Sequence, residues 1–239
     1  MRRGSLAKNY KANRVLYWMI VPCVLYVLIF NYLPMAGLVM SFQDYSLPKG
    51  IFGSKWIGLD NFRDFFGGMY FGRTLRNTVV LSLLEMLLNF PAPIILALML
   101  NEVKGVRYKK AIQTISYMPH FISMVVVAGL IKEFTNNTGV VAQIVTWMGG
   151  TSQSYISKPQ YFRTIFIVSQ IWQSVGFGSI IYLAALSGIS EDLYEAARID
   201  GAGRVRQLWN VTLPGLAPTI IIMLILRCGS IMNVNFEKV

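Results

Sequence analysis

Five long apolar runs constrain the fold of this 239-residue chain more than any other feature. Each run is close to the roughly 20 residues that an α-helix needs to cross the hydrocarbon core of a bilayer. A helix also satisfies its own backbone hydrogen bonds where water is absent. The runs therefore predict an all-α, polytopic transmembrane bundle, with spans at about Leu16–Met40, Thr78–Leu100, Ile112–Ile131, Thr164–Leu186 and Leu213–Met232.

The charged residues are few and mostly basic. Only 14% of the residues are charged and the net charge is +11, whereas a soluble domain carries about a quarter charged residues. Such an excess can indicate nucleic-acid binding, but in a membrane protein Lys and Arg collect in cytoplasmic loops. Residues 1–16, 101–111 and 187–212 hold 12 of them in 53 residues, against 8 in 67 for residues 43–77 and 132–163. The N-terminus and the connection before the fifth run are therefore expected in the cytoplasm.

The N-terminal tail has two interpretations. Residues 1–16 carry five basic residues and no acid, as a signal peptide can. The apolar run that follows is longer than a signal core and lacks a clear small-residue cleavage site. A retained first span is therefore favoured.

A polar stretch before the fifth run, Glu195 to Pro214, has the pattern of a helix, a turn and a second helix. Small Ala196 and Ala197 let a helix lie close against a partner. Gly201 permits a turn that a residue with a Cβ resists. Pro214 falls where the next span is expected to begin, at a helix start that tolerates proline. The stretch predicts an elbow at the membrane surface that docks into another protein, although a plain amphipathic loop remains the simpler alternative.

This stretch closely resembles the EAA loop of ABC-importer permeases. The matching residues are Glu195, Ala196, Ala197, Gly201, Leu213 and Pro214, with Val211 where Ile is usual. Asp200, Ala202 and Pro218 are similar to the sugar-importing branch, which includes the membrane subunits of maltose-type transporters. Three further segments resemble the branch that handles oligosaccharides or polysaccharide fragments: Arg76–Thr78, Tyr117–Pro119 and Leu226–Ser230.

The resemblance implies a set of partners. These are a second permease subunit, two ATP-binding subunits, an extracytoplasmic solute-binding protein, a carbohydrate substrate and membrane lipid, in a bacterial plasma membrane. Glu195, Ala196, Ala197, Asp200, Gly201, Leu213 and Pro214 would then contact the ATPase or shape the loop that does. An ABC permease for an amino acid or peptide, and a non-transport membrane scaffold, are the alternatives.

No enzyme site is visible in the sequence. His120 is the single histidine, and no Gly-x-x-x-x-Gly-Lys-Ser/Thr loop occurs, so ATP should be bound and hydrolysed by a partner. Cys23 and Cys228 both fall inside apolar runs and have no metal-ligand spacing. We expect a transport subunit with no cofactor or metal of its own and no nucleic acid as partner.

Polar residues inside the runs are candidates for a substrate path, because charge at membrane depth is costly and usually faces the bundle interior or water. Glu85 and Asn89 lie in the second run and Arg227 in the fifth. Glu85 and Arg227 have opposite charge and similar expected depth. They could form an ion pair or both line an outer cavity; alternatively, Arg227 snorkels to the headgroups and Glu85 is a lone buried acid.

The fourth run carries an amide stripe. Gln170, Gln173, Ser174 and Phe177 share one face at helical spacing, with Trp172 one position away. Amides and an aromatic ring suit a sugar, but amides also bridge membrane helices. His120, after Pro119, is interpreted as a kink residue in preference to a proton relay, and Gly176 and Gly178 as sites of close helix approach.

The predicted organisation has three parts. Residues 1–42 form the tail and first helix, residues 43–77 an extracytoplasmic connection, and residues 78–239 the permease core with its coupling loop at 187–212. Permeases of the resembled kind have six spans, so Asn233–Lys238 is expected to lead to a sixth span missing from this sequence.

Overall fold

A computed structural model describes residues 13–230 of the chain. The basic residues before Asn13 and the Asn233–Lys238 segment that was expected to lead to a sixth span lie outside the described residues. The chain divides into two compact units, residues 1–74 and 75–239. The prediction of an all-α protein is confirmed, since the strands of the described part are a single pair of two residues each.

The first unit contains a long helix and a small folded connection. Helix α1 (Arg14–Phe42) leads into strand β1 (Gln43–Asp44), helix α2 (Gly50–Gly53), strand β2 (Lys55–Trp56) and helix α3 (Asp60–Gly67). The two strands pair antiparallel, and the Phe42 ring stacks on Trp56 with centroids 5.7 Å apart. Asn61 Nδ2 donates to the carbonyls of Ser41 and Gln43. Residues 43–70 are therefore an ordered connection, and the second span begins at Phe71 instead of Thr78.

The second unit is a helical bundle. Its helices are α4 (Phe71–Glu102), α5 (Val106–Phe121), α6 (Met124–Thr135), α7 (Val140–Trp147), α8 (Pro159–Ser187), α9 (Glu191–Ile199) and α10 (Arg204–Gly229). Helix α8 lies at the centre, against α4, α5 and α10. The main buried cluster joins α4, α8 and α10 through Ala97, Tyr182, Leu186 and Leu216.

Within residues 13–230, four helices are long and apolar enough to cross a membrane: α1, α4, α8 and α10. They correspond to the first, second, fourth and fifth predicted spans. The third run was expected to be interrupted at Pro119 and His120, and it is: α5 ends at Phe121 and the next helix leaves at an angle of 100°. The predicted third span, Ile112–Ile131, is therefore a broken span or a re-entrant segment.

Close packing of α8 on α5 depends on Gly176, as expected. A Cβ at this position would lie 1.9 Å from the backbone oxygen of Ser116. Gly178 similarly faces Pro93 of α4, with its Cβ position 3.1 Å from the proline ring. Two sides of α8 are thus in close contact with neighbouring helices.

Three of the long helices contain a π-helical segment two residues before a proline. The segments are Leu28–Tyr32 before Pro34, Glu85–Asn89 before Pro91, and Leu208–Thr212 before Pro214. Proline has no N–H, and its ring collides with the carbonyl four residues earlier in a regular α-helix. A turn closed over five residues, such as the Phe90 N–H to Glu85 carbonyl bond of 3.2 Å, makes room for the ring. Each helix therefore passes its proline without a break.

Candidate functional site

The elbow begins with a short capped helix. Ser190 is the N-cap of α9, and its Oγ accepts from the Asp192 N–H at 3.3 Å. Glu191 and Asp192 in the first turn place negative charge at the positive end of the helix dipole. Glu195 and Ala196 are exposed and Ala197 is half-buried. The helix therefore presents Glu195 and Ala196 outward, where a partner can reach them.

A glycine turn ends this helix. Gly201 has φ of +76°, the left-handed region that residues with a Cβ resist. The Ala202 N–H closes the end of the helix on the Ala197 carbonyl at 2.8 Å. Asp200, one residue earlier, is the exposed C-cap. The helix, the turn at Gly201 and the second helix that the sequence predicts are all present in the structure.

The second helix of the elbow begins earlier than predicted. Helix α10 starts at Arg204 and continues without interruption to Gly229, so Leu213 and Pro214 lie within it and not at its start. Leu213 is half-buried and Pro214 exposed, directly after the π-helical segment Leu208–Thr212. The correction matters because the second helix of the elbow and the fifth span are one continuous α-helix.

Side-chain hydrogen bonds connect the two helices of the elbow. The Tyr194 hydroxyl on α9 lies 3.1 Å from Thr212 Oγ1 on α10. Thr212 is buried, and its hydroxyl donates to the Gln207 carbonyl at 3.3 Å. Gln207 Nε2 in turn donates to the Ala202 carbonyl in the turn, at 2.8 Å. No sequence pattern marks Tyr194, Gln207 or Thr212, because their pairing depends on the fold of the turn.

A cavity of about 800 Å³ lies beside the elbow. Its lining includes Glu195 and Arg198 of α9, Arg204 of α10, and Glu102 and Lys104 from the end of α4 and the connection that follows. The basic connection after the second span and the elbow, both predicted to be cytoplasmic, therefore lie at the same end of the bundle.

A second cavity, of about 330 Å³, lies between α4, α8 and α10. Three of the six predicted path residues line it: Asn89, Gln170 and Arg227. Ser174 and Tyr182 add hydroxyl groups, so the wall offers an amide, hydroxyls and a cation in one place. Asn89 and Gln170 are themselves buried from solvent.

Glu85 and Arg227 form the ion pair that the sequence suggested. Arg227 Nη2 donates to Glu85 Oε2 at 2.7 Å, joining α10 to α4. The Glu85 side chain is 10% exposed and that of Arg227 is 36% exposed. The alternative of a snorkelling Arg227 and a lone Glu85 is therefore wrong for this structure. Arg227 reaches the cavity wall, while Glu85 lies behind it at the start of the α4 π-helical segment.

One hydrogen bond joins α8 to α4 beside the cavity, and a second lies within α8. Ser174 Oγ lies 2.9 Å from Asn89 Oδ1 and 2.7 Å from the Gln170 carbonyl. The polar stripe of α8 thus contributes to helix packing as well as to the cavity wall.

Gln173 and Trp172 lie away from the lining of this cavity. Gln173 is buried, and its Nε2 donates to the Ile122 carbonyl at 3.3 Å, where the chain breaks between α5 and α6. Trp172 is 46% exposed. The His120 ring stacks on Phe177 at 4.0 Å with an interplanar angle of 3°. Both contacts thus tie α8 to the segment between α5 and α6, where the helix is interrupted. This agrees with the interpretation of His120 as a kink residue.

Among residues 13–230, no three His, Cys, Asp or Glu side chains lie close enough to hold a metal ion. The features that stand out are instead those of a membrane subunit: several membrane-length helices, a polar cavity between them, and an elbow continuous with one cavity wall.

Comparison with known proteins assigns the family. Residues 65–234 match the family described as the binding-protein-dependent transport system inner membrane component. The chain belongs to this family. It is therefore a multi-pass plasma-membrane protein and a permease subunit of an ABC importer, a transport component and not an enzyme.

Two relatives from Bacillus subtilis (strain 168) resemble nearly the whole chain. Protein LplB is 46% identical over 230 residues, which cover 96% of this chain and 72% of LplB. The polygalacturonan/rhamnogalacturonan transport system permease protein YteP is 42% identical over 239 residues, covering 100% of this chain and 74% of YteP.

A solved structure has the same fold. It is the crystal structure of a bacterial ABC transporter involved in the import of the acidic polysaccharide alginate, with a TM-score of 0.90 and 44% identity. The match covers 98% of this chain and 79% of the chain in that structure. A second structure of a bacterial alginate ABC transporter, in complex with an alginate pentasaccharide-bound periplasmic protein, matches with a TM-score of 0.89.

Proposed function

We propose that this chain forms part of the translocation path for an oligosaccharide or polysaccharide fragment. The observation that carries the proposal is the cavity between α4, α8 and α10, since one of its walls is the helix that begins in the elbow. A displacement of the elbow and a change in the cavity are thus connected through a single helix.

The chemistry of the cavity supports a carbohydrate. Sugar hydroxyls both donate and accept hydrogen bonds, and Asn89, Gln170 and Tyr182 offer groups of both kinds. The names of YteP and of the alginate transporter refer to uronate-containing polysaccharides. Arg227 supports an acidic sugar only in part, because its charge is already balanced by Glu85.

The proposed partners follow from the elbow and the family. Two ATP-binding subunits contact Glu195, Ala196, Ala197 and the Asp200–Gly201 turn, and they hold the ATP. A second permease subunit completes the path, and an extracytoplasmic solute-binding protein delivers the sugar. The N-terminus and the elbow then lie in the cytoplasm. Closure of the ATPase dimer moves the elbow and turns the cavity outward, and hydrolysis resets it inward.

An uptake panel tests the substrate class. Cells or vesicles that contain the whole transport system are given a labelled neutral oligosaccharide, a uronate oligosaccharide, an amino acid and a short peptide. We expect uptake of an oligosaccharide and a several-fold increase in its KM after Gln170→Leu. Gln143→Leu is the matched control, because Gln143 is exposed on α7 and is not among the residues that line the cavity. Uptake of the amino acid or peptide alone would overturn the carbohydrate assignment.

Co-purification tests the coupling role. The native chain should retain the ATP-binding subunits through affinity purification, and the double variant Glu195→Ala with Gly201→Pro should lose most of them. Equal recovery from both chains would favour a membrane scaffold over an importer subunit.

A further inference from the structure

The covalent link between the two helices of the elbow is a weak mechanical connection. It consists of residues 200–203, in which Gly201 adopts a positive φ and nothing lies within 4 Å of a Cβ built at Gly201 or at Gly203. Glycine has the widest backbone freedom of any residue. A force applied to α9 would therefore change the angle of this turn before it moved α10, unless something else joins the two helices.

The Tyr194–Thr212 contact is that second connection. Its two hydroxyl oxygens lie 3.1 Å apart, and the residues are separated by the whole turn. Since the Thr212 hydroxyl donates to the Gln207 carbonyl, the Tyr194 hydroxyl acts as the donor to Thr212. The Gln207 side chain binds the turn itself at the Ala202 carbonyl. Helix α9, the turn and the start of α10 are thus joined by hydrogen bonds as well as by the backbone. The Tyr194–Thr212 contact is the one that connects the two helices directly.

The position of Thr212 connects this contact to the cavity. Thr212 is buried and ends the π-helical segment of α10. From Thr212 the same helix runs about 22 Å, at 1.5 Å per residue, to Arg227 and its ion pair with Glu85. If the Tyr194–Thr212 contact, called the joint below, holds α9 and α10 at a fixed angle, a tilt of α9 also moves the cavity wall. Without this contact, the tilt would only change the backbone angles of the turn.

We propose that Tyr194 is a positioning residue for energy coupling: its hydrogen bond to Thr212 makes the coupling helix α9 and the span α10 move as one body. The proposal rests on the function proposed above, and it assigns a role to two residues, Tyr194 and Thr212, that are not among the residues matching the loop motif. Tyr194 is proposed to act through Thr212.

A distance measurement tests the joint without reference to the sugar. Cys23 and Cys228 are replaced by Ser, and spin labels are placed through Ile199→Cys and Leu226→Cys, at positions 87% and 63% exposed. In the complete transporter we expect one narrow distance distribution that is the same without nucleotide and with trapped ATP. Tyr194→Phe and Thr212→Val, which each remove one hydroxyl, should broaden the distribution or make it depend on nucleotide.

The coupling ratio provides the functional counterpart. We expect each single variant to keep the ATP-binding subunits and basal ATPase activity but to import several-fold less sugar per ATP hydrolysed. The double variant should be no worse than Thr212→Val alone, because Tyr194→Phe removes only a bond that Thr212→Val has already removed. Tyr70→Phe is the matched control, since it removes a hydroxyl from an exposed tyrosine in the connection before α4.

Different failures of the two proposals can be told apart. The proposed role of the Tyr194–Thr212 contact would be overturned, whatever the substrate, if Tyr194→Phe and Thr212→Val gave the native distance distributions in both nucleotide states. Failure of the native transporter to import any oligosaccharide would overturn the proposed function, and the distribution width without nucleotide would still report on the joint.

Discussion

At the scale of single residues, the polar groups of the bundle divide between the cavity and the helix contacts. The Glu85–Arg227 pair was predictable, because two opposite charges at similar depth in apolar runs have few other ways to be satisfied. The partner of Gln173 was not predictable, since the Ile122 carbonyl becomes available only through the geometry of the break after α5. The Tyr194–Thr212 contact was equally hidden, because it depends on how the turn brings two helices together.

The ion pair gives the first prediction. Arg227→Ala removes the guanidinium that binds Oε2 of the buried Glu85. We therefore expect a loss of about 2–4 kcal/mol of stability, less than for a fully buried pair because the guanidinium is partly exposed. Thermal unfolding of the purified complex measures the loss. Exchange of the two charges, Glu85→Arg with Arg227→Glu, should recover stability and uptake relative to either single reversal. A double variant no better than the single ones would mean that the pair contributes nothing.

The close approach of α8 to α5 at Gly176 gives the second prediction. Gly176→Ala places a methyl group against the backbone oxygen of Ser116, which cannot move aside as a side chain can. We expect α5 and α8 to separate, with a loss of at least about 2 kcal/mol or a fall in assembled protein, read by size-exclusion chromatography and thermal unfolding. Gly129→Ala on α6 is the control, because nothing lies within 4 Å of its Cβ position. Equal stability of the two variants would contradict the packing described.

At the scale of elements, hydropathy located the membrane helices better than it located their ends. Polar residues such as Arg204 and Gln207 are helical in the structure, but they do not resemble a membrane span, so the predicted start of the fifth span fell at Leu213. The same limit applies to the second span, where polar residues between Phe71 and Asn77 extend the helix. The break in the third run was visible because Pro119 removes a backbone donor.

The turn between α9 and α10 gives the third prediction, with an internal control two residues away. Gly201→Ala forces a residue with a Cβ to φ of +76°, at a cost of about 1–2 kcal/mol. Gly203→Ala places the same methyl group at φ of −68°, which alanine adopts freely. Both positions are sterically open, so the difference isolates backbone strain. We expect Gly201→Ala to reduce uptake and ATPase capture several-fold and Gly203→Ala to behave as native; equal behaviour would exclude a strained turn.

At the scale of the whole molecule, the distribution of Lys and Arg predicts which connections are cytoplasmic. The structure places two of these basic connections at the same end of the bundle. Lys104 and the elbow residues line one cavity and therefore lie at one end of the bundle. The connection between α1 and α4 was predicted at residues 43–77, but its hairpin was not. Two strands of two residues each, beside the stacked rings of Phe42 and Trp56, leave no periodic pattern in the sequence. Fold class followed from apolar runs alone, whereas the cavity required three helices to be placed side by side.

Labelling from the two sides of the membrane gives the fourth prediction. In a background without Cys23 and Cys228, Asp200→Cys should react with a membrane-impermeant maleimide only when the cytoplasmic face is accessible. Phe52→Cys should react in intact spheroplasts, because Phe52 is fully exposed in the connection predicted to be extracytoplasmic. Reaction of Asp200→Cys from outside would reverse the topology and remove the elbow from any cytoplasmic ATPase.

The widened turns beside the prolines also fix the rotational phase of each helix. A π-helical segment is equivalent to one inserted residue, and one residue corresponds to a rotation of about 100°. Because the wider turn absorbs the inserted residue, deleting one residue from Leu208–Thr212 would leave Arg227 facing Glu85, but Pro214 would lose the room that its ring needs. An insertion or deletion between Leu213 and Arg227 has no wider turn to absorb it, so it would rotate the ion pair by about 100° relative to the elbow.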